Sequence, residues 1–224
     1  VSAESGVPTF REVQTGMWAK YRPEELATPS AFQTDPGKVW AWYQWRRALI
    51  AGVSPNPGHK ALTSLESGLQ SRGADFTLIT QNVDGLHQQA GSQRVIELHG
   101  NITRNKCFQC DRLVEVWVES EAPPPLCPHC GGLLRPDVVW FGESLPIGAL
   151  ETAIASAQRS DVFLSVGTSA IVQPAASLPV LALKAGATLV EINPNRTPLS
   201  EKVHYHFQGE SGTVLPVLVE IILE

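Results

Sequence analysis

The sequence has no apolar run approaching the ~20 residues of a membrane-spanning helix. The longest candidate, around Val180 to Val190, is broken by Lys184 and Gly186. No membrane partner is expected, and no signal-peptide pattern is visible. Basic residues are in deficit: 17 Lys and Arg against 22 Asp and Glu leave a net charge of -5. A general nucleic-acid binder needs a basic surface, so no specific nucleic-acid partner is expected either. There is no internal repeat and no low-complexity segment. Cysteine is absent everywhere except between Cys107 and Cys130, where all four occur. A disulfide framework would spread them along a small secreted chain. Clustered pairs point to metal ligands in a reducing compartment, which favours a cytoplasmic setting. What remains is ordinary globular material. The 224 residues are 43% apolar and 17% charged, enough for one large domain or a domain with an insertion.

The pattern along the chain predicts alternating helices and strands. Residues 36 to 51 read as a helix, with Asp35 as N-cap, Pro36 in the first turn and Gly52 at its end. A second helix is expected over Pro57 to Arg72. DFTLIT and VIEL (95 to 98) read as short strands, the latter ending at His99-Gly100. VVWF, DVFLSVG, TLVEIN and HYHF read as further strands, with helices over 148 to 159, 174 to 185 and the last dozen residues. Such alternation indicates a parallel sheet with helices on both faces, an α/β fold. The residues divide into a Rossmann-like part (1–8, 54–102 and 136–224), a helical segment (9–53) and an inserted cysteine module (103–135).

The cysteines form two Cys-x-x-Cys pairs, Cys107/Cys110 and Cys127/Cys130, sixteen residues apart. Two such pairs make a tetrahedral zinc site, each on a tight knuckle, and Gly131-Gly132 permits the second turn. Four thiolates close the coordination sphere, so the zinc is expected to be structural. Two disulfides or free thiols are the alternative. His129 lies between two ligands and is not counted among them.

After the DFTLIT strand comes Thr80-Gln81-Asn82-Val83-Asp84-Gly85-Leu86-His87. Ligands of open parallel sheets bind at the carboxyl ends of strands. Amide and acid side chains are costly to bury there unless they bond something. His99 ends the next strand at the same edge, where a neutral imidazole can serve as a general base. Taken alone, an edge histidine and a helix-capping Asp84 fit these residues equally well.

TQNVDGLH, ELHG, the paired Cys-x-x-Cys motifs and RPDVVWFGE resemble the sirtuin family in order and spacing, as do SAESGVPTFR, GTS and NPN. The match runs nearly end to end. The resemblance implies an NAD-dependent protein-lysine deacylase that yields nicotinamide and O-acyl-ADP-ribose. His99 would be the base for a ribose hydroxyl, with Asn82 and Asp84 beside it. Gln81, Asn82 and Asp84 would line the nicotinamide and ribose pocket, Phe10 and Arg11 would belong to the mobile loop that closes over nicotinamide, and Ser2, Ala3 and Val83 would also bind the cofactor. Gly167, Thr168, Ser169, Asn193, Asn195 and Ser211 would hold the rest of the dinucleotide. Val139, Trp140, Phe141, Gly142 and Glu143 would pair with the acylated peptide. The family also opens with a strand and a Gly-Ala-Gly turn, which would precede Val1. The sequence as given is expected to lack that first strand and to leave two strand edges open.

Helix 36–51 carries an apolar stripe through Val39, Trp42, Leu49 and Ile50, and Arg46 falls within it. Tyr43 lies three residues earlier on the same face, whereas Arg47 is expected to face solvent. The Tyr-x-x-Arg pair resembles that of class III sirtuins, which hold succinyl, malonyl or glutaryl carboxylates. Two other readings stay open: a sirtuin-like ADP-ribosyltransferase, and a catalytically impaired zinc-ribbon binding module.

Overall fold

The computed structural model describes residues 1–8, 18–117 and 123–224. A 3-10 turn, Ser2–Ser5, is followed by helices α1 (Pro23–Leu26), α2 (Pro29–Thr34), α3 (Pro36–Ala51) and α4 (Pro57–Ser71). Each of these four helices starts at a proline, whose missing N–H is one a first turn never uses. Asp35 caps α3 by accepting from the Lys38 amide at 2.9 Å. The chain then runs through β1 (Leu78–Thr80), α5 (Leu86–Gln89), β2 (Val95–Glu97), β3 (Gly100–Cys107), β4 (Leu113–Val114) and β5 (Leu134–Val138). It closes with α6 (Ile147–Arg159), β6 (Val162–Val166), α7 (Leu178–Lys184), β7 (Thr188–Ile192), β8 (Tyr205–Phe207) and α8 (Ser211–Leu223).

The parallel strands form two ribbons, β1-β2 and β6-β7-β8. Their side chains alternate between two cores, as a period of two requires. Leu78, Leu164, Val166 and Ile192 pack under α4 and α8, against Leu62, Leu65, Leu215 and Val219. Ile79, Ile96 and Phe163 pack on the other side, with Ala153 and Ala157 of α6 and Leu178 and Ala182 of α7. Helices therefore cover both faces, as the alternation predicted. Among the described residues, β1 and β6 are each paired along one edge only.

The cysteine module is built on an antiparallel sheet, β4-β3-β5, which runs past residues 103 and 135 to Gly100 and Val138. Gly100 sits at φ +75°, and a Cβ there would overlap the Asp137 carbonyl. Only glycine lets the two strands close at the point where His99 leaves the sheet.

Three expectations change. VVWF is not a strand: β5 ends at Val138. The next amides go to different elements, Val139 to the His99 carbonyl and Phe141 to the Ala27 carbonyl, both at 2.9 Å. The chain then turns back, with Glu143 N–H donating to the Trp140 carbonyl at 3.0 Å, so no ladder continues. Arg47 does not face solvent. The module's sheet passes beside α3, and the guanidinium donates to the carbonyls of Ile102 (2.6 Å) and Arg104 (3.1 Å) and to Asn105 Oδ1 (2.5 Å). It also lies over the rings of Trp40 and Trp117. Leu49, in the last turn of α3, is exposed, while Trp40 is fully buried against the cysteine module.

Candidate active site and metal centre

The four cysteine sulfurs lie within 4.8 Å of one another. Cys107 Sγ is 3.4 Å from Cys130 Sγ, and Cys110 Sγ is 3.9 Å from Cys127 Sγ. Disulfides are excluded, since a bonded pair sits at about 2.05 Å. A tetrahedron with Zn–S bonds near 2.3 Å has edges of about 3.8 Å, and these separations match it. Amides of Gln109, Cys110 and His129 point at Cys107 or Cys127 sulfur at 3.4 Å, which stabilises thiolates. The cluster fits one structural zinc. His129 contributes its backbone, and its side chain is not among the clustered ligands. The site ties β3 to the loop before β5, so metal and fold are coupled. Stripping the zinc is expected to lower the thermal midpoint by more than about 5 °C and to abolish activity in parallel. An unchanged midpoint in a chain verified to be metal-free would rule out a structural role.

At the carboxyl edge of the parallel strands a cluster of polar side chains assembles from several elements. The His99 ring is half-buried, and its Nδ1 lies 3.0 Å from the Gln81 carbonyl. A carbonyl only accepts, so Nδ1 carries the proton and Nε2 keeps its lone pair. Burial pushes the His99 pKa below the ordinary histidine value, and the Gln81 bond opposes this only in part. The ring is therefore neutral near pH 7 and basic at Nε2. Gln81 Nε2 reaches Thr168 Oγ1 at 3.3 Å, linking the end of β1 to the end of β6. Asn82 Nδ2 donates to Ser2 Oγ at 2.8 Å. Asp84 is buried, and its carboxylate accepts the Leu86 amide at 2.9 Å, bending the chain into α5. Val83 packs inward, and its carbonyl takes the Ile102 amide at 2.8 Å.

Further along the edge, Asn193 donates to the Thr168 carbonyl at 2.8 Å and accepts the Asn195 amide at 3.1 Å. Gly167, at φ +59°, and Asn195 are exposed, and Ser169 is half-buried. Ala3 is exposed on the opening 3-10 turn. This donor set of amides and hydroxyls, drawn from β1, β6 and β7, fits a dinucleotide laid across the strand ends. Ser211 stands apart from the others. Its hydroxyl (2.5 Å) and its amide (3.1 Å) both donate to Glu4, so neither faces a ligand. Phe10 and Arg11 lie outside the described residues.

Tyr43 and Arg46 are both buried in an aromatic cluster with Trp42, Phe32 and Trp140. The Arg46 guanidinium lies over the Trp42 ring at 5.3 Å. Burial lowers the Arg46 pKa and raises that of Tyr43, so the phenol keeps its proton. Val139 packs toward α6, whereas Phe141 and Gly142 form an exposed turn that Glu143 closes.

Several polar residues behind the site escaped the sequence reading. Asn56 holds the opening turn, donating to the Val1 carbonyl at 2.8 Å and to Ser5 Oγ at 3.0 Å. His59, wholly buried, has its Nε2 at 3.4 Å from Ser2 Oγ. The Asn-Pro-Gly-His spacing is a capping box in which His59 accepts the Asn56 amide, and that was the available signal. Glu191, also wholly buried, accepts from Thr197, Ser200 and His206 and so fixes the loop after Asn193. No local pattern announces that network.

A family model described as Sir2 matches residues 1–174. The NAD-dependent protein deacylase of Aquifex aeolicus is 50% identical over 225 residues, covering 100% of this chain and 92% of that protein. NAD-dependent protein deacylase 1 of Pseudomonas aeruginosa is 48% identical, covering 98% of this chain and 89% of its own length. Among solved structures, a Sir2 homolog–NAD complex superposes with a TM-score of 0.90 at 47% identity, covering 100% of this chain and 87% of that one. A Sir2 bound to an acetylated peptide gives a TM-score of 0.82 at 31% identity, covering 98% and 88%. With matches of this extent over polar cluster and cysteine module alike, the chain belongs to the Sir2, or sirtuin, family.

Proposed function

We propose that this Sir2-family enzyme removes acyl groups from protein lysines with consumption of NAD, and that it favours acyl chains ending in a carboxylate. The observation that carries the chemistry is the 3.0 Å contact between His99 Nδ1 and the Gln81 carbonyl, which spends the Nδ1–H and leaves Nε2 basic on a half-buried ring. NAD, when bound, supplies the ribose carbon that nicotinamide leaves and the ADP-ribose that carries the acyl group away. His99 takes a proton from a ribose hydroxyl at Nε2. Gln81, Asn82 and Asp84 orient the nicotinamide end, and Thr168, Ser169, Asn193 and Asn195 the other. Ser2 acts through Asn82, which it holds at 2.8 Å. The acylated peptide lies along the turn at Phe141 and Gly142, and its acyl chain enters toward α3.

Support for the acyl preference comes from Tyr43 and Arg46. A guanidinium and a phenol, one helical turn apart and both withdrawn from water, form a donor pair suited to a carboxylate. The thiolate cluster favours a reducing, cytoplasmic setting. The test is mass spectrometry of succinyl-, malonyl- and acetyl-lysine peptides with and without NAD. The expected result is NAD-dependent loss of acyl mass, fastest for succinyl, with nicotinamide and O-acyl-ADP-ribose formed in equal amount. An ADP-ribose mass added to unacylated protein, with acyl groups left in place, would instead identify a transferase.

A further inference from the structure

The Trp140 indole is fully buried, and its polar partner lies 97 residues away in the sequence. Its Nε1 lies 2.9 Å from the Tyr43 hydroxyl. The two rings stack at 6.4 Å with 27° between planes. An indole N–H can only donate. The Tyr43 oxygen must therefore be the acceptor, and its single proton is directed away from Trp140. Trp140 is the one hydrogen-bond partner of that hydroxyl among the described residues.

The indole is itself held at both ends. The Arg135 guanidinium lies 3.2 Å from its ring centroid. Arg135 forks onto the Glu143 carboxylate at 2.5 and 3.0 Å, and the same carboxylate accepts the Trp140 amide at 2.8 Å. Phe32 packs on the ring at 5.3 Å. Neither the indole nor its N–H vector can swing freely in this setting.

We propose that Trp140 is a positioning residue for acyl selection. By occupying the acceptor side of the Tyr43 hydroxyl, it turns the phenolic proton toward the carboxylate of a succinyl- or malonyl-type acyl chain beside Arg46. A phenol free to rotate would present a lone pair to that carboxylate part of the time, which repels. With Trp140 in place the site offers donors only, from Tyr43 and Arg46 together. The inference rests on the acyl-carboxylate reading above.

The experiment uses the full chain, saturating NAD, and matched succinyl- and acetyl-lysine peptides. The readout is the ratio of kcat/KM for succinyl over acetyl, with KM and kcat resolved. Tyr43→Phe removes the hydroxyl and is expected to lower the ratio about tenfold. Trp140→3-benzothienylalanine replaces the N–H by sulfur while keeping the ring against Arg135 and Phe32. It is expected to lower the ratio about fivefold through the succinyl KM. In a Tyr43→Phe background the same replacement should change the ratio no further, since the N–H then has nothing to act through. A packing role alone would leave the benzothienyl variant at the wild-type ratio. That result, or additive losses in the double variant, would overturn the positioning role while the Tyr43→Phe loss kept the acyl-carboxylate reading standing. No change in the ratio from Tyr43→Phe would remove both. Trp140→Phe, scored by the same ratio and the same double variant, serves if the benzothienyl chain does not fold.

Discussion

Replacement of His99 by Asn is expected to lower kcat for deacylation by roughly three orders of magnitude, the middle of the range for a positioned general base. Asparagine keeps a polar side chain of similar reach, and its amide can still donate to the Gln81 carbonyl. It has no basic lone pair, so the variant isolates the proton transfer from the packing. The thermal midpoint should stay within a few degrees, because the ring is only half-buried and makes one hydrogen bond among the described residues, at 3.0 Å. The wild-type pH profile supplies the second check. The active form is the neutral ring, and burial sets its pKa below the ordinary value. Activity should therefore persist as pH falls past about 6.5, and decline only as the depressed pKa is approached. In the Asn variant that acid limb should vanish along with most of the rate. A loss smaller than about tenfold, or an acid limb centred above pH 6.5, would assign the base to another group.

The parts of this site that were legible in the sequence are those whose determinants are local. Cys-x-x-Cys spacing specifies a knuckle by itself, and its sulfurs converge as the pairs require. Asp35-Pro36 opens a helix because cap and proline act within one turn. The place of His99 just past a strand was legible because the VIEL run stops at His99-Gly100, where Gly100 takes φ +75°. Arg47 was misread because its acceptors, Ile102, Arg104 and Asn105, lie 55 to 58 residues away, and nothing within one helical turn reveals them. VVWF carries strand composition but lacks a neighbour to pair with. Its Val139 and Phe141 amides are taken by the carbonyls of His99 and Ala27, which belong to two separate parts of the chain. β-propensity reports fit to a pleated surface and not the presence of a partner strand. The Trp140–Tyr43 bond is invisible for the same reason, since it joins a loop to a helix that only the tertiary fold brings together.

Arg46→Met is expected to lower the succinyl-to-acetyl ratio of kcat/KM by about a hundredfold. Methionine fills much of the same volume and packs against Trp42, but it removes the charge and the donor fork. A charge-assisted bond to a carboxylate contributes about 1.5–3 kcal/mol, and a second donor geometry in the fork adds to it, which sets the size of the change. The direction follows from where the guanidinium sits. It is 7% exposed and lies 5.3 Å over the Trp42 ring. Burial already depresses its pKa. A cation withdrawn from water in this way attracts a bound carboxylate more strongly than one at the surface, because the field is less screened. An acetyl chain brings no charge and gains nothing from that field. The ratio is therefore the sensitive quantity, more than either rate alone. The competing account is a structural arginine whose partner is an acid of the chain itself. It predicts equal losses on both acyl groups and a lowered thermal midpoint, since removing one member of a buried pair strands the other. Measuring both ratio and midpoint separates the two accounts: a ratio that stays put while the midpoint drops would sink the acyl-carboxylate reading, and with it the role assigned to Trp140.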